Sequence, residues 1–292
     1  MTRRAEAPAL SVVLVTYQMS RQLARTLFSL APPCQRNLPA RGVEAIVVDN
    51  GSDPPPEIGP LSRQGLDVSL HRFPSPTHSP VAAANLGLSL ARGDVVAMMI
   101  DGARLASPGL VSACLAALEL HPRAIAATYN YHLGLKPQHY SVAEGYDEAV
   151  EEALLASIGW PDDGYRLFEV SVPEGEEGWP SPMTETNALF MRREMWDELG
   201  GYDPAFTSIG GGFCNPDLFV RACALPEAVL VKVAGEATFH QVHGGAATNE
   251  SDRSVVRRMA TEYYKIRGRP FGRVRGKALL FDPRTGEVVP QG

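Results

Sequence analysis

Several things are scarce or missing in this 292-residue sequence, and each absence narrows what it can be. No apolar run approaches the ~20 residues that a membrane-spanning helix needs. Met1 to Pro8 lack the apolar core of a secretory signal. Only four cysteines occur (Cys34, Cys114, Cys214, Cys223), and none forms a Cys-x-x-Cys pair. A dense disulfide framework is thereby excluded, and a reduced, cytoplasmic setting is the expectation. No Gly-x-Gly-x-x-Gly follows the first apolar segment, so the dinucleotide fingerprint is missing. There is no phosphate-binding P-loop and no Gly-x-Ser-x-Gly nucleophile elbow. Positive charge is not in surplus either. Lys and Arg number 27 against 33 Asp and Glu, a net charge of −6, which argues against nucleic acid as the main partner. Only the stretch from Arg253 to Lys277 is locally basic; it reads as a solvated face or as a patch for an anionic ligand or membrane surface.

What is present is the profile of a soluble globular chain, 45% hydrophobic and 21% charged. The chain is organised around Asp94 to Leu105. Six apolar residues, Val95 to Ile100, lead into Asp101 and Gly102. An unbroken run of this kind reads as a strand buried on both faces, as in a parallel sheet covered by helices. Ligands of open α/β sheets bind just beyond such strand ends, which makes Asp101 a candidate binding residue; the alternative is a simple turn cap. Other strands are expected at Leu10–Thr16, Val43–Val48, Asp67–His71 and Ala124–Tyr129. Helices are expected from Ser20 to Leu30, Val81 to Ala91 and after Ser107-Pro108 to Leu120. This alternation implies βαβ units and a mostly parallel central sheet flanked by helices.

The second half reads as less regular. A polar and aromatic loop is expected over Asn130–Tyr140, then an amphipathic helix over Ser141–Ile158. A Pro- and Trp-bearing loop runs from Trp160 to Pro182, a helix from Arg193 to Leu199, and another opens with Asn215 as cap and Pro216 at its first position. Two short strands are expected at Ala228–Val233 and Ala237–Phe239, a last helix over Ser251–Arg267, and a strand at Ala278–Phe281. The expected organisation is a tail (1–9), a nucleotide-binding type of α/β half (10–130), a less regular half of the same domain (131–250) and a C-terminal helix and tail (251–292).

The ordered set Ser11–Tyr17, Ala45–Ser52, Ala82–Leu88 ahead of Ala91–Asp94, and Ile100–Asp101 resembles the family 2 glycosyltransferases. So do Asn187–Glu194, Leu199–Asp203, Asp217–Ala222 and His240/His243 in the second half. The resemblance implies a GT-A-type fold, an α/β domain with an irregular acceptor-side half. It further implies transfer of a sugar from a nucleotide-diphosphate donor, first of all a UDP-sugar, to an acceptor hydroxyl with inversion. A non-catalytic nucleotide-sugar or glycan binding module of the same fold is the alternative, and a nucleotidyltransferase a third reading.

By resemblance, Thr16 and Tyr17 wall the nucleobase, Asp49 bonds its edge, Asn85 lies near the ribose or sugar, and Asp101 near the diphosphate. Each also has a plainer reading: a strand end in the core, a turn cap, an amide buried against backbone. Two departures from the family pattern stand out. Ala103 occupies the position of the usual second acid, and one carboxylate alone is a poor site for Mg²⁺ or Mn²⁺. His240 and His243 lie where the family supplies an imidazole, so Asp101, His240 and His243 are the candidate ligands of a divalent cation. Without a metal, Arg104 or a C-terminal arginine is left to neutralise the leaving diphosphate. The second departure is Cys214-Asn215, where the family carries acids. Asparagine cannot take a proton from an acceptor hydroxyl, which leaves Glu185 and Asp217 as candidate general bases. Gly210-Gly211-Gly212 offers an open backbone to a ligand.

Overall fold

The computed structural model describes residues 7–57, 59, 62–174, 183–244, 253–272, 274 and 276–291. The chain begins with β1 (Leu10–Thr16), α1 (Ser20–Ser29), β2 (Val43–Asp49), β3 (Asp67–Arg72), α2 (Val81–Leu90) and β4 (Val95–Met99). Next come β5 (Arg104–Ala106), α3 (Leu110–Leu118), β6 (Ala124–Leu133), α4 (Gln138–Ala143), α5 (Glu148–Ser157) and β7 (Ser171–Pro173). The remainder is β8 (Leu189–Arg192), α6 (Arg193–Leu199), α7 (Cys214–Cys223), β9 (Val229–His240), α8 (Arg253–Arg267), β10 (Lys277–Asp282) and β11 (Glu287–Gln291).

All strands join one sheet in the order β11-β10-β9-β6-β8-β4-β1-β2-β3, with β5 paired to β9 and β7 to β6. β1, β2, β3 and β4 run parallel, as do β6, β9 and β10, and β8 is inserted antiparallel between β4 and β6. Every residue of β1, β2, β4 and β6 is buried, the outcome expected of apolar runs covered on both faces. Alternate side chains divide between two cores. Val13, Val15, Ile46 and Val48 pack with Ala83 and Ala84 of α2, Trp196 of α6 and Leu218 of α7. Val12, Leu14, Ala45 and Val47 face Leu23 and Leu27 of α1 and Leu110 and Ala117 of α3. Helix α2 lies so close to the sheet that a Cβ on Gly87 would stand 2.3 Å from Val13 Cγ1. Among the described residues no helix is long and apolar enough to cross a membrane.

Several sequence expectations are corrected. The strand expected to end at Tyr129 continues as β6 through Leu133, because Asn130, Tyr131 and His132 pair with Thr238, Phe239 and His240 of β9. The two short strands expected around Gly235 are one strand, β9. It accommodates the glycine (φ +75°) with a register shift opposite Ala127–Tyr129, a bulge rather than a break. The helix expected over Ser141–Ile158 is two, α4 and α5, separated at Gly145 (φ +97°). Asn215 does not cap α7. The helix starts two residues earlier, at Cys214, and the Asn215 side chain turns toward the site described below. Residues 175–182, Ser251, Arg273 and Arg275 lie outside the described residues.

Candidate active site

A cavity of about 1550 Å³ opens beyond the C-terminal ends of β1 and β4. That exceeds the ~300–1,000 Å³ of a typical single-ligand site, leaving room for two reactants side by side. Thr16, Tyr17, Asn50 and Gly51 wall one end; Glu185, Asn187 and Asn215 wall the other, with Asp101, Arg104, His240 and His243 between.

At the first end, Thr16 is buried and its Oγ1 finds no partner among the described residues, as is true of Asn50 Oδ1. Tyr17 is 54% exposed beside them. Asp49 pairs in register with Thr16 at the end of β2. Its Oδ1 accepts the Ser52 N–H at 3.0 Å, closing the turn, while Oδ2 is buried without a partner among the described residues. Buried polar atoms are nearly always hydrogen-bonded, so three unused oxygens at one strand edge mark a place for ligand donors. β1 lies between β2 and β4, which spaces Asp49 and Asp101 by roughly two strand widths, about 10 Å. Two expectations are adjusted here. Asp49 sits beneath the cavity wall that Thr16, Asn50 and Gly51 form, rather than on it. Asn85 is away from the cavity altogether. Its amide donates to the Tyr202 carbonyl at 2.9 Å and accepts the Tyr202 N–H at 2.9 Å, a clasp that ties α2 to the segment after α6.

In the centre, Asp101, His240 and His243 converge. His240 Nε2 is 3.0 Å and His243 Nε2 3.6 Å from Asp101 Oδ2, and the two Nε2 atoms are 2.9 Å apart. Ligands bound cis to an ion at ~2.1 Å are separated by about 3 Å, so these three atoms have the spacing of a coordination face. Burial, and then Arg104, push His240 down to about 3, which keeps its ring neutral and able to ligate. Burial works against the charge on Asp101, but the His243 and His240 imidazoles outweigh it and hold the carboxyl well below its usual range. Asp101 Oδ1 is spent on the Ala103 N–H at 3.0 Å. Ala103 itself is fully buried and offers no second oxygen. A divalent cation that accepts imidazole fits this donor set.

At the far end, Glu185 Oε2 accepts from Asn215 Nδ2 at 3.0 Å. The same amide donates to the Thr186 carbonyl, and its oxygen accepts the Tyr202 hydroxyl at 3.1 Å, so Asn215 is fixed. Burial, with the Glu174 carboxylate second, pushes Glu185 up to about 7, against the pull of Asn215 and Arg104. Glu174 lines the cavity and is held by Asn130 Nδ2 at 2.9 Å. Neither Glu174 nor Asn130 stood out in the sequence, because nothing near them in the chain marks their pairing across β6 and β7. Asp217 is corrected as a candidate base. It is buried outside the cavity, with both oxygens taken by Arg267 at 2.6 Å and one shared with Arg221 at 2.8 Å.

A sequence model of the family described as Glycosyl transferase family 2 matches residues 11–172, more than half of the chain. No curated protein matches the chain. Among solved structures, residues 1–349 of S. aureus TarS in complex with UDP-GlcNAc superpose with a TM-score of 0.55 at 12% identity, over 87% of this chain and 66% of that one. The larger S. aureus TarS structure gives 0.52 at 13% identity, over 87% of this chain and 39% of that one. The Pyrobaculum calidifontis mannosyltransferase PcManGT, in complex with GDP-Man and Mn²⁺, gives 0.49 at 15% identity, over 82% and 58%. The chain thus spans less than two thirds of each of these structures. The family match runs from β1 into β7, across the strand ends that carry Thr16, Asp49 and Asp101, and the chain belongs to glycosyl transferase family 2.

Proposed function

We propose that the chain moves a sugar from a nucleoside-diphosphate donor, with UDP-sugars first in line, to an acceptor hydroxyl with inversion at the anomeric carbon. The observation that carries this reading is the arrangement of one cavity: unused base-edge acceptors at one end, three convergent cation ligands in the middle and a carboxyl held near 7 at the other. Support for the donor class comes also from TarS, whose similar fold is seen with UDP-GlcNAc.

In this mechanism Thr16, Tyr17 and Asn50 receive the nucleobase at the ends of β1 and β2. Asp101, His240 and His243 would hold the divalent cation, with Mn²⁺ favoured over Mg²⁺ because two of the three ligands are imidazoles. Such an ion, when bound, neutralises charge on the donor diphosphate. Glu185 takes the proton of the acceptor hydroxyl, whose oxygen forms the new bond to the anomeric carbon as the bond to the phosphate oxygen breaks. A base near 7 suits this task, being about half ionised at neutral pH and still able to accept a proton. Asn215 aims the Glu185 carboxylate, and Asn130 holds Glu174 beside it. The fixed positions of donor and base contribute the rest.

The test is a screen of UDP-, GDP- and TDP-sugars for binding by calorimetry with and without Mn²⁺, followed by hydrolysis of the best binder. Slow hydrolysis of one donor, dependent on added cation, is the expected result. Tight binding with no turnover under any condition favours the binding module that Ala103 and Asn215 suggest.

A further inference from the structure

Arg104 opens β5 on the cavity wall, in register with His240 across the β5–β9 pair. Its side chain is 9% exposed, so the guanidinium is nearly sealed. Nε and Nη1 are buried and have no hydrogen-bond partner among the described residues. Among the described residues its one ion pair is a 3.3 Å approach of Nε to Asp101 Oδ2, the same oxygen that faces both imidazoles. Arginine stays charged and presents five donors in a planar fork, and leaving them unused in a buried place is costly. Buried nitrogens without a hydrogen bond among the described residues occur also on Arg21, Arg25 and Arg63, but none of these lines the cavity, and Arg21 and Arg25 pair with Glu151 and Glu152 of α5. Arg267 chelates Asp217 and pairs with Asp203 at 2.8 Å, and Arg221 donates to Asp217 and to the Leu199 and Gly201 carbonyls.

The surroundings indicate what the fork awaits. Asp101 is the only carboxylate in the three-residue cluster, and Ala103 adds none. A cation there meets a single negative side chain of the cluster, and Arg104 adds a positive charge beside it. Glu185 is the other carboxyl that feels Arg104, and burial raises it to about 7, which leaves the balancing negative charge to a ligand. A diphosphate brings two, on oxygens whose spacing matches a guanidinium fork.

We propose that Arg104 is a second, metal-independent anchor for the donor diphosphate, and that it goes on holding the nucleoside diphosphate once the sugar has left. It supplies by positive charge what the missing acid at 103 would have supplied through the cation. This rests on the reading that the cavity takes a nucleoside-diphosphate sugar.

The experiment is calorimetry in EDTA, titrating UDP against UMP and GDP against GMP into the full chain. The wild type is compared with Arg104→Gln and with Arg104→Lys, each checked by circular dichroism. In the wild type one diphosphate binds at least about tenfold more tightly than its monophosphate without metal, the scale of one charge-assisted hydrogen bond. Arg104→Gln erases that ratio while keeping monophosphate affinity, and Arg104→Lys retains part of it. A titration of Mn²⁺ alone shows Arg104→Gln binding the ion no more weakly than the wild type. An unchanged diphosphate-to-monophosphate ratio in Arg104→Gln overturns the proposal and leaves the donor reading standing. In a parallel titration of UDP-glucuronate and UDP-glucose, a loss in Arg104→Gln confined to UDP-glucuronate also overturns it, assigning the arginine to a sugar carboxylate. Failure of all four nucleotides to bind the wild type in EDTA overturns the proposal, and failure with Mn²⁺ present as well overturns the donor reading too.

Discussion

Glu151 accepts the backbone N–H of Val242 at 2.5 Å, and Gln22 donates to the carbonyl of that same residue at 2.6 Å. One residue between the two candidate ligand histidines is therefore gripped from α5 and α1 at once. Gln241 adds hydrogen bonds to the Gln22 carbonyl and Thr26 Oγ1, so the whole His240–His243 turn is pinned to α1. Residues that orient metal ligands from behind commonly alter affinity by about 10–100-fold when removed. Glu151→Ala and Gln22→Ala are each expected to weaken Mn²⁺ binding by about tenfold or more on that scale, measured by calorimetry on the free protein. Glu151→Gln keeps an acceptor for Val242 and is expected to retain most of the affinity. Equal Mn²⁺ affinity in all three variants would contradict the role of this clasp.

The pH behaviour follows from Glu185, which burial and Glu174 raise to about 7 from an ordinary 4.5. As a base it works only when ionised, so kcat/KM is expected to rise with pH and level off above about 7. The limb belongs to the Glu185–Glu174 pair rather than to one residue. The stability consequence has the opposite sense. The folded state holds this proton more tightly than the unfolded state, so the contribution is complete below 4.5 and is lost as pH rises through about 7. Glu185→Gln removes that loss. Its Tm relative to wild type is expected to climb between pH 5 and pH 8; a difference that stays flat across that range would show that the carboxyl is not raised.

Asp217 tests structure rather than chemistry. Its two oxygens bind Arg267 of α8 and Arg221 of its own helix while the side chain is buried. Its loss removes charge-assisted hydrogen bonds from partly exposed arginines that keep Asp203 and backbone carbonyls as partners, at a cost of about 1.5–3 kcal/mol. Asp217→Ala is expected to lose stability of this order in urea unfolding. At a temperature where it is folded, it keeps the donor affinity of the wild type. A stable variant that no longer transfers sugar would return Asp217 to the active site.

These residues also show where sequence reading reaches and where it stops. β1, β2 and β4 were legible because each is an apolar run bounded by turn residues, and the place of Asp101 at a strand end followed from that alone. His240 and His243 were legible only through the family's order of segments; their convergence on Asp101 depends on the β5–β9 pairing, which no local signal announces. Asp217 was misread because its partner Arg267 lies fifty residues further on. Asn215-Pro216 has the local form of a helix start, yet tertiary hydrogen bonds to Glu185 and Tyr202 claimed the side chain instead. Glu151, Gln22 and Glu174 act across long sequence separations, and periodicity carries no information about such pairs.

The most direct test compares wild type and Glu185→Gln on the donor that the nucleotide-sugar screen identifies, reading donor affinity and cation-supported turnover in the same samples. Affinity within about twofold, with turnover reduced on the order of 10²–10⁴, is the result expected for loss of a general base. Undiminished turnover at unchanged affinity would contradict it.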